Sequence, residues 1–226
     1  MIPVRIAEVI TVIMINKKKL DLIFAVHEML KTTSPELIKI RDVAAAANCN
    51  SAIIYRHFDN LDHLILIASI KFLEDYLFDL QDVTRNNTDP LEVEITTWRI
   101  FAKYAFMHIE IFDLLFWGKY KENLGDSIYE YYKMFPEQWQ HLNGLYTIVF
   151  FNNDLQERNR VILDQAANAG YFKPSDVPLL ANLQCCFLHG MMMDYKNTYR
   201  QPGVPEKAAA LFMETLLSLQ KRYRLK

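Results

Sequence analysis

The chain of 226 residues is nearly neutral, with 25 Lys and Arg against 27 Asp and Glu, and 51% of it is hydrophobic. This length accommodates one large domain or two small ones with an ample core. Only 6 glycines and 8 prolines argue against a loop-rich all-β protein, and 3 cysteines do not suggest a secreted disulfide framework. No apolar run reaches the roughly 18–20 residues of a membrane span. We therefore expect a cytoplasmic protein.

The N-terminal stretch, residues 1–16, is unusually apolar, although Arg5 and Glu8 interrupt it. It lacks the cationic start and the small-residue cleavage site of a signal peptide. We expect a helical arm packed on the body of the protein, with a translated leader ahead of the usual start as the alternative.

The first clear amphipathic pattern covers residues 17–31. Leu20, Phe24, His27 and Leu30 recur at helical spacing, which predicts an α-helix with one apolar face. The three lysines at its start are electrostatically unfavourable at that end of a helix. We interpret them either as contacts to a phosphate backbone or as a solvated charge run.

Residues 39–58 contain two short predicted helices joined by a three-residue turn. The first, over 40–47, is rich in alanine, which lets a second helix cross closely. Asn48 suits the left-handed conformation that ends this helix, and Asn50 is a good N-cap for a second helix over 51–57. The outer face of the second helix carries Ser51, Ala52, Tyr55 and Arg56. A short helix of this kind after a tight turn can enter the major groove of DNA.

The same stretch resembles the TetR family of bacterial transcription regulators. The family pattern runs Thr-hydrophobic-x-x-Ile-Ala, then Ala-Gly-Val-Ser, then Gly-Thr-Leu/Ile-Tyr-x-His-Phe and finally Lys-x-x-Leu. The corresponding stretches here begin at residues 39, 47, 52 and 61, and residues 52–58 read Ala-Ile-Ile-Tyr-Arg-His-Phe. The Tyr-x-His-Phe part is the specific one. The chain departs from the pattern where Lys39 stands for Thr, Asn48 and Ala52 stand for Gly, and Leu61 stands for Lys. The resemblance implies a DNA-binding helix-turn-helix followed by a helical ligand-binding and dimerisation domain.

The motif and the resemblance together select the candidate DNA contacts. Ser51, Ala52 and Ile53 lie on the first turn of the recognition helix, where side chains reach base edges. The resemblance implies that Tyr55, His57 and the residue at the cap of the first helix contact phosphates, which positions a protein without reading sequence. A packed, hydrogen-bonded role under the helix is the alternative for Tyr55 and His57. The full set is Lys39, Arg41, Asn50, Ser51, Ala52, Ile53, Tyr55, Arg56 and His57.

Helical periodicity continues beyond the motif to the end of the chain. A helix capped by Asn60 is expected to run to about Val83, and Asp89-Pro90 starts a helix that extends to Trp117. Further helices are predicted over 126–132, over 145–169 with a kink near 152–153, over 177–195 and over 205–222. The predicted fold is therefore all-α, with about nine helices. The expected division is a DNA-binding domain over 1–65 and a larger helical domain over 66–226.

The second domain carries many large aromatic residues with polar tips. Residues 111–117 are apolar almost all round, which indicates a helix that is enclosed or lines a cavity. Core packing explains each aromatic residue singly, but the inducer pocket that the resemblance implies favours a cavity for a small hydrophobic ligand. Such a ligand or a trapped water would then supply partners for the polar tips. The candidates are Trp98, Tyr104, His108, Phe112, Trp117, Tyr146, Phe150, Gln184, Phe187 and His189.

The helices over 177–195 and 205–222 are apolar over more than one face, which is more than a monomer needs. Two-fold DNA sites require two-fold proteins. We therefore expect these helices to form the four-helix interface of a homodimer. The candidates are Leu183, Phe187, Leu211, Phe212, Leu216 and Leu219.

Catalytic and metal-binding patterns are not found in the sequence. The 6 histidines are scattered, and there is no His-x3-His or Cys-x2-Cys pair, no glycine-rich phosphate loop and no Gly-x-Ser-x-Gly. We expect no catalytic residue, no metal and no cofactor. The leading hypothesis is a TetR-like repressor that a small apolar ligand releases from double-stranded operator DNA. The alternatives are a helical binding protein whose helix-turn-helix no longer reads DNA and an all-α enzyme.

Overall fold

A computed structural model describes residues 4–86, 88–136 and 152–226, with side chains described outside 4–16 and 82–86. The chain divides into two compact units, unit 1 (Met1–Lys71) and unit 2 (Phe72–Lys226). All regular structure in the described ranges is helical, and this confirms the all-α prediction. None of the described helices is both long and apolar enough to cross a membrane.

Unit 1 is built on a core shared by a long first helix and a short, deeply buried fourth one. Its helices are α1 (Val4–Leu30), α2 (Ile40–Ala46), α3 (Ser51–His57) and α4 (Leu61–Ile70), with a 3-10 turn at Pro35–Leu37. Helix α1 packs against α4 and α2, and α2 packs against α3. Every residue of α4 from Leu64 to Ile70 is buried. Burial of the aliphatic side chains in this run stabilises unit 1 through the hydrophobic effect.

Helix α1 differs from the prediction at its start. The sequence pattern placed a separate arm before a helix beginning at residue 17, but α1 is one helix of 27 residues that begins at Val4. No helix-breaking residue separates the apolar segment from the amphipathic one, so helical hydrogen bonding continues through the lysines.

The helix predicted from Asn60 to about Val83 is broken in two. The side chain of Asn60 caps α4 as expected, accepting a bond of 2.8 Å from the His63 N–H. However, α4 ends at Ile70. The Ser69 hydroxyl donates 2.8 Å back to the Ile65 carbonyl, and a bond of this type often bends a helix.

Unit 2 is arranged around one central helix. Its helices are α5 (Leu73–Asn86), α6 (Pro90–Met107), α7 (Ile109–Phe116), α8 (Leu124–Met134), α9 (Leu155–Asn168), α10 (Val177–Tyr195) and α11 (Val204–Tyr223), with 3-10 turns at Lys121–Asn123 and Pro174–Asp176. Helix α6 packs against α5, α9, α10 and α11, and α9 packs against α10. Fully buried Ala102 and Ala105 on α6 allow neighbouring helices to approach closely. The position of α6 makes it the common support for any site in unit 2.

The helix predicted over 90–117 is also broken in two, at His108. Asp89 caps α6 as expected, accepting 3.0 Å from the Leu91 N–H. His108 then leaves the helical conformation, with φ −136° and ψ 51°, and α7 begins at the next residue. The described ranges contain eleven α-helices against the roughly nine predicted, because two of the predicted helices are each divided in two.

The second part of the helix predicted over 145–169 is α9, which begins at Leu155. Residues 152–154, where a kink was predicted, are non-helical, and the Asp154 carboxylate caps α9 by accepting 2.7 Å from the Gln156 N–H. The first part of the predicted helix, up to residue 151, lies outside the described residues. Gly170 follows α9 with φ 84°, the left-handed conformation that glycine adopts at helix ends.

Candidate nucleic-acid interface and effector unit

The turn between α2 and α3 has the conformation that its asparagines predict. Asn48 has φ 49°, and the Cys49 N–H bonds the Ala44 carbonyl at 2.9 Å, which closes the end of α2. The Asn50 side chain then accepts 3.2 Å from the Ile53 N–H. These contacts between residues close in sequence set the path of the chain from α2 into α3.

Helix α3 has one buried and one exposed face. Ile54 and Phe58 at the inner face are 0% and 3% exposed. Ala52, Arg56 and Tyr55 lie on the outer face, and Tyr55 is 61% exposed. This exposure excludes, for Tyr55, the alternative of a side chain packed under the helix.

The remaining DNA candidates of unit 1 lie at or near the surface. Lys39 is the N-cap of α2 with extended backbone, and its side chain, like those of Arg41 and Asn50, is exposed. Ser51 and Ile53 are half-buried on the first turn of α3. The structure therefore leaves a surface of three basic and several small side chains around the start and outer face of α3.

His57 is half-buried at the end of α3. Partial burial, with Lys19 and Arg56 nearby, lowers its pKa below the usual value. The imidazole is consequently neutral at pH 7, where it can donate one hydrogen bond to a phosphate or a protein group. Within the lysine run of α1, Lys18 donates 3.0 Å to the Ala47 carbonyl, so this lysine supports the end of α2 instead of remaining fully solvated.

A network of buried side chains joins four helices of unit 2. The Glu94 carboxylate of α6 accepts 3.1 Å from Gln184 of α10 and 2.5 Å from Gln220 of α11. The Gln184 carbonyl accepts 2.6 Å from Asn159 of α9 and 3.3 Å from the Trp98 indole. The exposure of the four polar residues is 5% or less. Trp98 and Gln184, both predicted as ligand contacts, are therefore hydrogen-bonded to each other within the core.

Three members of this network, Glu94, Asn159 and Gln220, were not predicted from the sequence. One signal was available, because Gln220 continues the i, i+4 series of Phe212 and Leu216, and Glu94 lies beside Ile95 on an apolar face. A polar residue at a core position indicates a buried partner. The burial of Glu94 raises the pKa of its carboxyl to about 7.

Other predicted ligand residues also find partners inside the protein. The Tyr104 hydroxyl donates 2.8 Å to Asp79 of α5, and His108 packs edge-on against Phe72 with ring centroids 4.9 Å apart. For Trp98 and Tyr104, the partners that a ligand or trapped water was expected to supply are instead protein groups. Their partners come from helices far away in sequence, which short-range inspection does not reveal.

Trp117 and His189 form a stacked pair between the end of α7 and α10. Their ring centroids are 4.5 Å apart and their planes differ by 3°. His189 Nε2 lies 3.1 Å from Asp113, which also pairs with Lys196 at 3.4 Å. Helix α7 is therefore not enclosed on every side, contrary to the expectation for 111–117, because its Asp113 side is only half-buried and polar.

The aromatic side chains of α6 and α7 form a continuous buried cluster. Phe101 lies 5.3 Å from both Phe112 and Phe116, measured between ring centroids, and 5.9 Å from Trp98. Phe112 is 0% exposed. Phe187, in contrast, is half-buried and stacks on Phe212, while Tyr146 and Phe150 lie outside the described residues. The structure thus groups only some of the ten ligand candidates.

Comparison with solved structures identifies the architecture. The TetR family transcriptional regulator PfmR from Thermus thermophilus superposes with a TM-score of 0.54 at 17% identity, over 87% of this chain and 97% of that one. A TetR-family regulatory protein from Rhodococcus RHA1 gives 0.52 at 16% identity, over 90% and 96%. The ketosteroid transcriptional regulator KstR2 of Mycobacterium tuberculosis gives 0.53 at 18% identity, over 92% and 95%.

The chain has a TetR-like fold. No protein-family sequence model matches it, and no curated protein sequence is significantly similar to it. The TetR-like fold is thus recognised through tertiary structure and not through overall sequence similarity, because identities of 16–18% leave the fold alone in common.

The residues predicted for the dimer interface lie on α10 and α11 and differ in how far they are exposed. Leu183 and Leu211 are 36% and 44% exposed, whereas Phe212 and Leu216 are 0% and 1% exposed. Phe187 and Leu219 are half-buried. Phe212 and Leu216 therefore belong to the core of unit 2 and have no surface to offer a partner, because α11 turns this face toward α6.

The cysteines of the TetR-like fold differ in environment. All three are free thiols, with Cys185 buried, Cys49 half-buried and the adjacent Cys186 exposed. Burial raises the pKa of the Cys185 thiol far above its usual value, which makes it an inert apolar group. Within the described residues, no three His, Cys, Asp or Glu side chains are grouped to hold a metal ion.

Proposed function

We propose that this chain is a DNA-binding transcription regulator whose helix-turn-helix reads an operator. The observation that carries the proposal is helix α3, which is capped by Asn50 and anchored through Ile54 while its outer face stays open. Such a helix fits the major groove, with its first turn nearest the bases. The TetR-like fold supports the same function, since the solved structures that share it are transcription regulators.

The exposed side chains of unit 1 divide into two roles in this proposal. Ser51, Ala52 and Ile53 are placed to meet base edges, where the hydroxyl bonds either base type and the apolar groups contact thymine methyls. Lys39, Arg41, Asn50, Tyr55, Arg56 and His57 surround them and would hold the phosphate backbone. The near-neutral charge of the whole chain is compatible with this proposal, because affinity depends on cations near phosphates and not on net charge.

Sequencing the genomic DNA fragments that the protein binds and retains would identify its operator, which can then be used in a direct binding test. Arg56→Ala and Lys39→Ala are expected to weaken binding and to lower the slope of log K against log salt by about one unit for each lost phosphate contact. Ser51→Ala is expected to change the preferred sequence instead. Fluorescence anisotropy at several salt concentrations measures both effects.

Lys31→Ala is the matched control. Lys31 is also exposed, but it follows the C-terminal end of α1 and pairs with Glu28. It should leave the salt slope unchanged. If Arg56→Ala, Lys39→Ala and Ser51→Ala all leave affinity and sequence preference as in the wild type, unit 1 does not read DNA. The chain would then be a helical binding protein with a silent helix-turn-helix.

We also propose that unit 2 binds a small, mostly apolar ligand that releases the operator, which makes the protein a repressor acting in the cytoplasm. The buried aromatic cluster of α6 and α7 supports an apolar ligand, as does the fold shared with the ketosteroid transcriptional regulator KstR2. The ligand must bind the DNA-released shape more tightly than the DNA-bound one, because equal affinity shifts no equilibrium.

The proposed regulator is a homodimer that associates through the exposed apolar residues of α10 and α11. These are Leu179, Leu183, Leu211 and Leu217, each at least 36% exposed. Leu179 and Leu183 lie one helical turn apart and share a face. A two-fold pairing of these helices would cover all four leucines and present two copies of α3 to a two-fold operator.

The double substitution Leu183→Asp with Leu211→Asp is expected to yield folded monomers that bind DNA at least about tenfold more weakly, because paired half-sites are lost and charges enter the interface. Sedimentation velocity at micromolar concentration, with circular dichroism for folding, measures this. Leu37→Asp is the control, since Leu37 is 63% exposed in unit 1, and it should remain dimeric. A monomeric wild type contradicts the proposed homodimer.

A further inference from the structure

The first helix of unit 1 carries a lysine that reaches the helix-turn-helix. Lys18 Nζ donates 3.0 Å to the Ala47 carbonyl, across 29 residues of sequence. Ala47 is the C-cap of α2, and the carbonyls at a helix end have no donor within their own helix. A lysine side chain can supply that donor. The ammonium therefore holds the end of α2 to α1, against which α2 also packs.

The bonded carbonyl lies immediately before the turn that leads into α3. Asn48 follows Ala47 and adopts the left-handed conformation, with φ 49°, and Asn50 then caps α3. Bonds between neighbouring residues fix the shape of this turn, but they do not fix its place on the rest of unit 1. The Lys18 bond joins the turn to α1, which in turn packs against α4. Lys18 thus acts on the position of the first turn of α3.

The other end of α3 is held by different contacts. Phe58, the C-cap of α3, is 3% exposed, and Lys19 Nζ lies 5.2 Å from the centre of its ring, within the range of a cation–π contact. Ile54, one turn earlier, is fully buried. Loss of the Lys18 bond would therefore displace the start of α3 more than its last turn, where two of the proposed phosphate contacts lie.

We propose that Lys18 is a positioning residue for operator recognition, which sets the first turn of α3 against the base edges without contacting DNA itself. This inference rests on the proposed function. It adds a third role for one member of the lysine run, beside a phosphate contact and a solvated charge. Removal of a phosphate contact lowers the salt slope by about one unit, and removal of a solvated charge changes little. Removal of a positioning residue instead lowers the preference for the operator over other DNA.

Lys18→Met removes the donor and the charge while keeping most of the side-chain length. Fluorescence anisotropy with the operator and with a scrambled duplex of equal length measures affinity and salt slope. We expect the affinity for the operator to fall about fivefold or more, because a hydrogen bond from a charged group contributes enough to shift an equilibrium by this factor. Affinity for the scrambled duplex and both salt slopes should remain as in the wild type.

A double-mutant cycle with Ser51→Ala tests how Lys18 acts. If Lys18 places the first turn of α3, both substitutions remove the same base contact. The double variant should then bind the operator about as weakly as Lys18→Met alone. A lysine that contacted phosphate independently of Ser51 would instead give additive losses.

Lys31→Met is the matched control, because both lysines pair with an acidic residue three positions away, Lys18 with Asp21 and Lys31 with Glu28. It removes the same charge and should leave the operator preference unchanged. Asp21→Asn removes the ion pair of Lys18 but not its bond to the turn, and it should also preserve operator binding. Lys18→Arg keeps the charge and a donor, so it should restore most of the preference.

Circular dichroism verifies the folding of each variant, and Lys18→Gln, whose side chain is one atom shorter than lysine, replaces Lys18→Met if the latter does not fold. Equal weakening on both duplexes with a lower salt slope, unchanged binding, additive losses with Ser51→Ala, or an equal loss in Lys31→Met would each overturn the assignment and leave the proposed regulator intact. A wild type that binds operator and scrambled duplex equally would refute the proposed function, and the assignment with it.

Discussion

Phe212→Ala is expected to lower the free energy of unfolding by about 3–5 kcal/mol, the range for removing a buried aromatic ring. Phe212 is 0% exposed, and its ring centroid lies 5.5 Å from Trp98, 6.4 Å from Phe106 and 5.7 Å from Phe187. The substitution leaves a cavity where α11 meets α6. Because a domain is stable by only about 5–15 kcal/mol, this loss is a large fraction of the total.

Urea denaturation followed by circular dichroism measures the change. Tyr129→Ala is the control, because Tyr129 is a comparable aromatic residue in unit 2 that is 52% exposed, and it should cost less than about 1 kcal/mol. A loss for Phe212→Ala no larger than for Tyr129→Ala would mean that Phe212 is a surface residue.

Glu94→Gln is expected to stabilise the protein above about pH 7 by up to about 3 kcal/mol. The buried Glu94 carboxyl has a pKa of about 7 in the folded chain, against 4.5 ordinarily. Between these values the folded state binds a proton that the unfolded state has released, so wild-type stability falls as pH rises and the loss is complete above the folded pKa. Glutamine cannot ionise, and rotation of the Gln220 amide restores its hydrogen bond.

Urea titrations at several pH values between about 4 and about 8 reveal the difference. The wild type and Glu94→Gln should be about equally stable at the acid end and diverge as Glu94 ionises. Glu92→Gln, an exposed change on the same helix, should parallel the wild type throughout. Parallel curves for Glu94→Gln as well would show that the carboxyl is not ionised within the core over this range.

The helix-turn-helix could be predicted almost residue by residue because its determinants are local. Asn48 adopts the left-handed turn, and the Asn50 and Asn60 side chains cap their helices as their positions indicate. Each contact joins residues at most five apart in the chain, and side-chain chemistry at such distances depends little on the rest of the protein. The exposed outer face of α3 follows from the same periodicity.

The breaks after Ile70 and at His108 were not predicted, because no glycine or proline marks either position. Helical propensity is a weak preference that tertiary packing overrides. At His108 the ring packs against Phe72 of another segment, a contact that the sequence pattern around residue 108 does not contain.

The sequence by itself determined that 177–195 and 205–222 are helices with broad apolar surfaces, and it placed the recognition helix and its caps. Only the tertiary structure decided that Phe212 is core while Leu211 is exposed, and that Glu94 bonds Gln220 across 126 residues. Periodicity shows which side chains share a face, but it does not show what covers that face. An apolar or polar side chain can pack against the same chain, a partner or a ligand. Contacts between helices far apart in sequence decide which of these it is, and they form only when the whole chain packs.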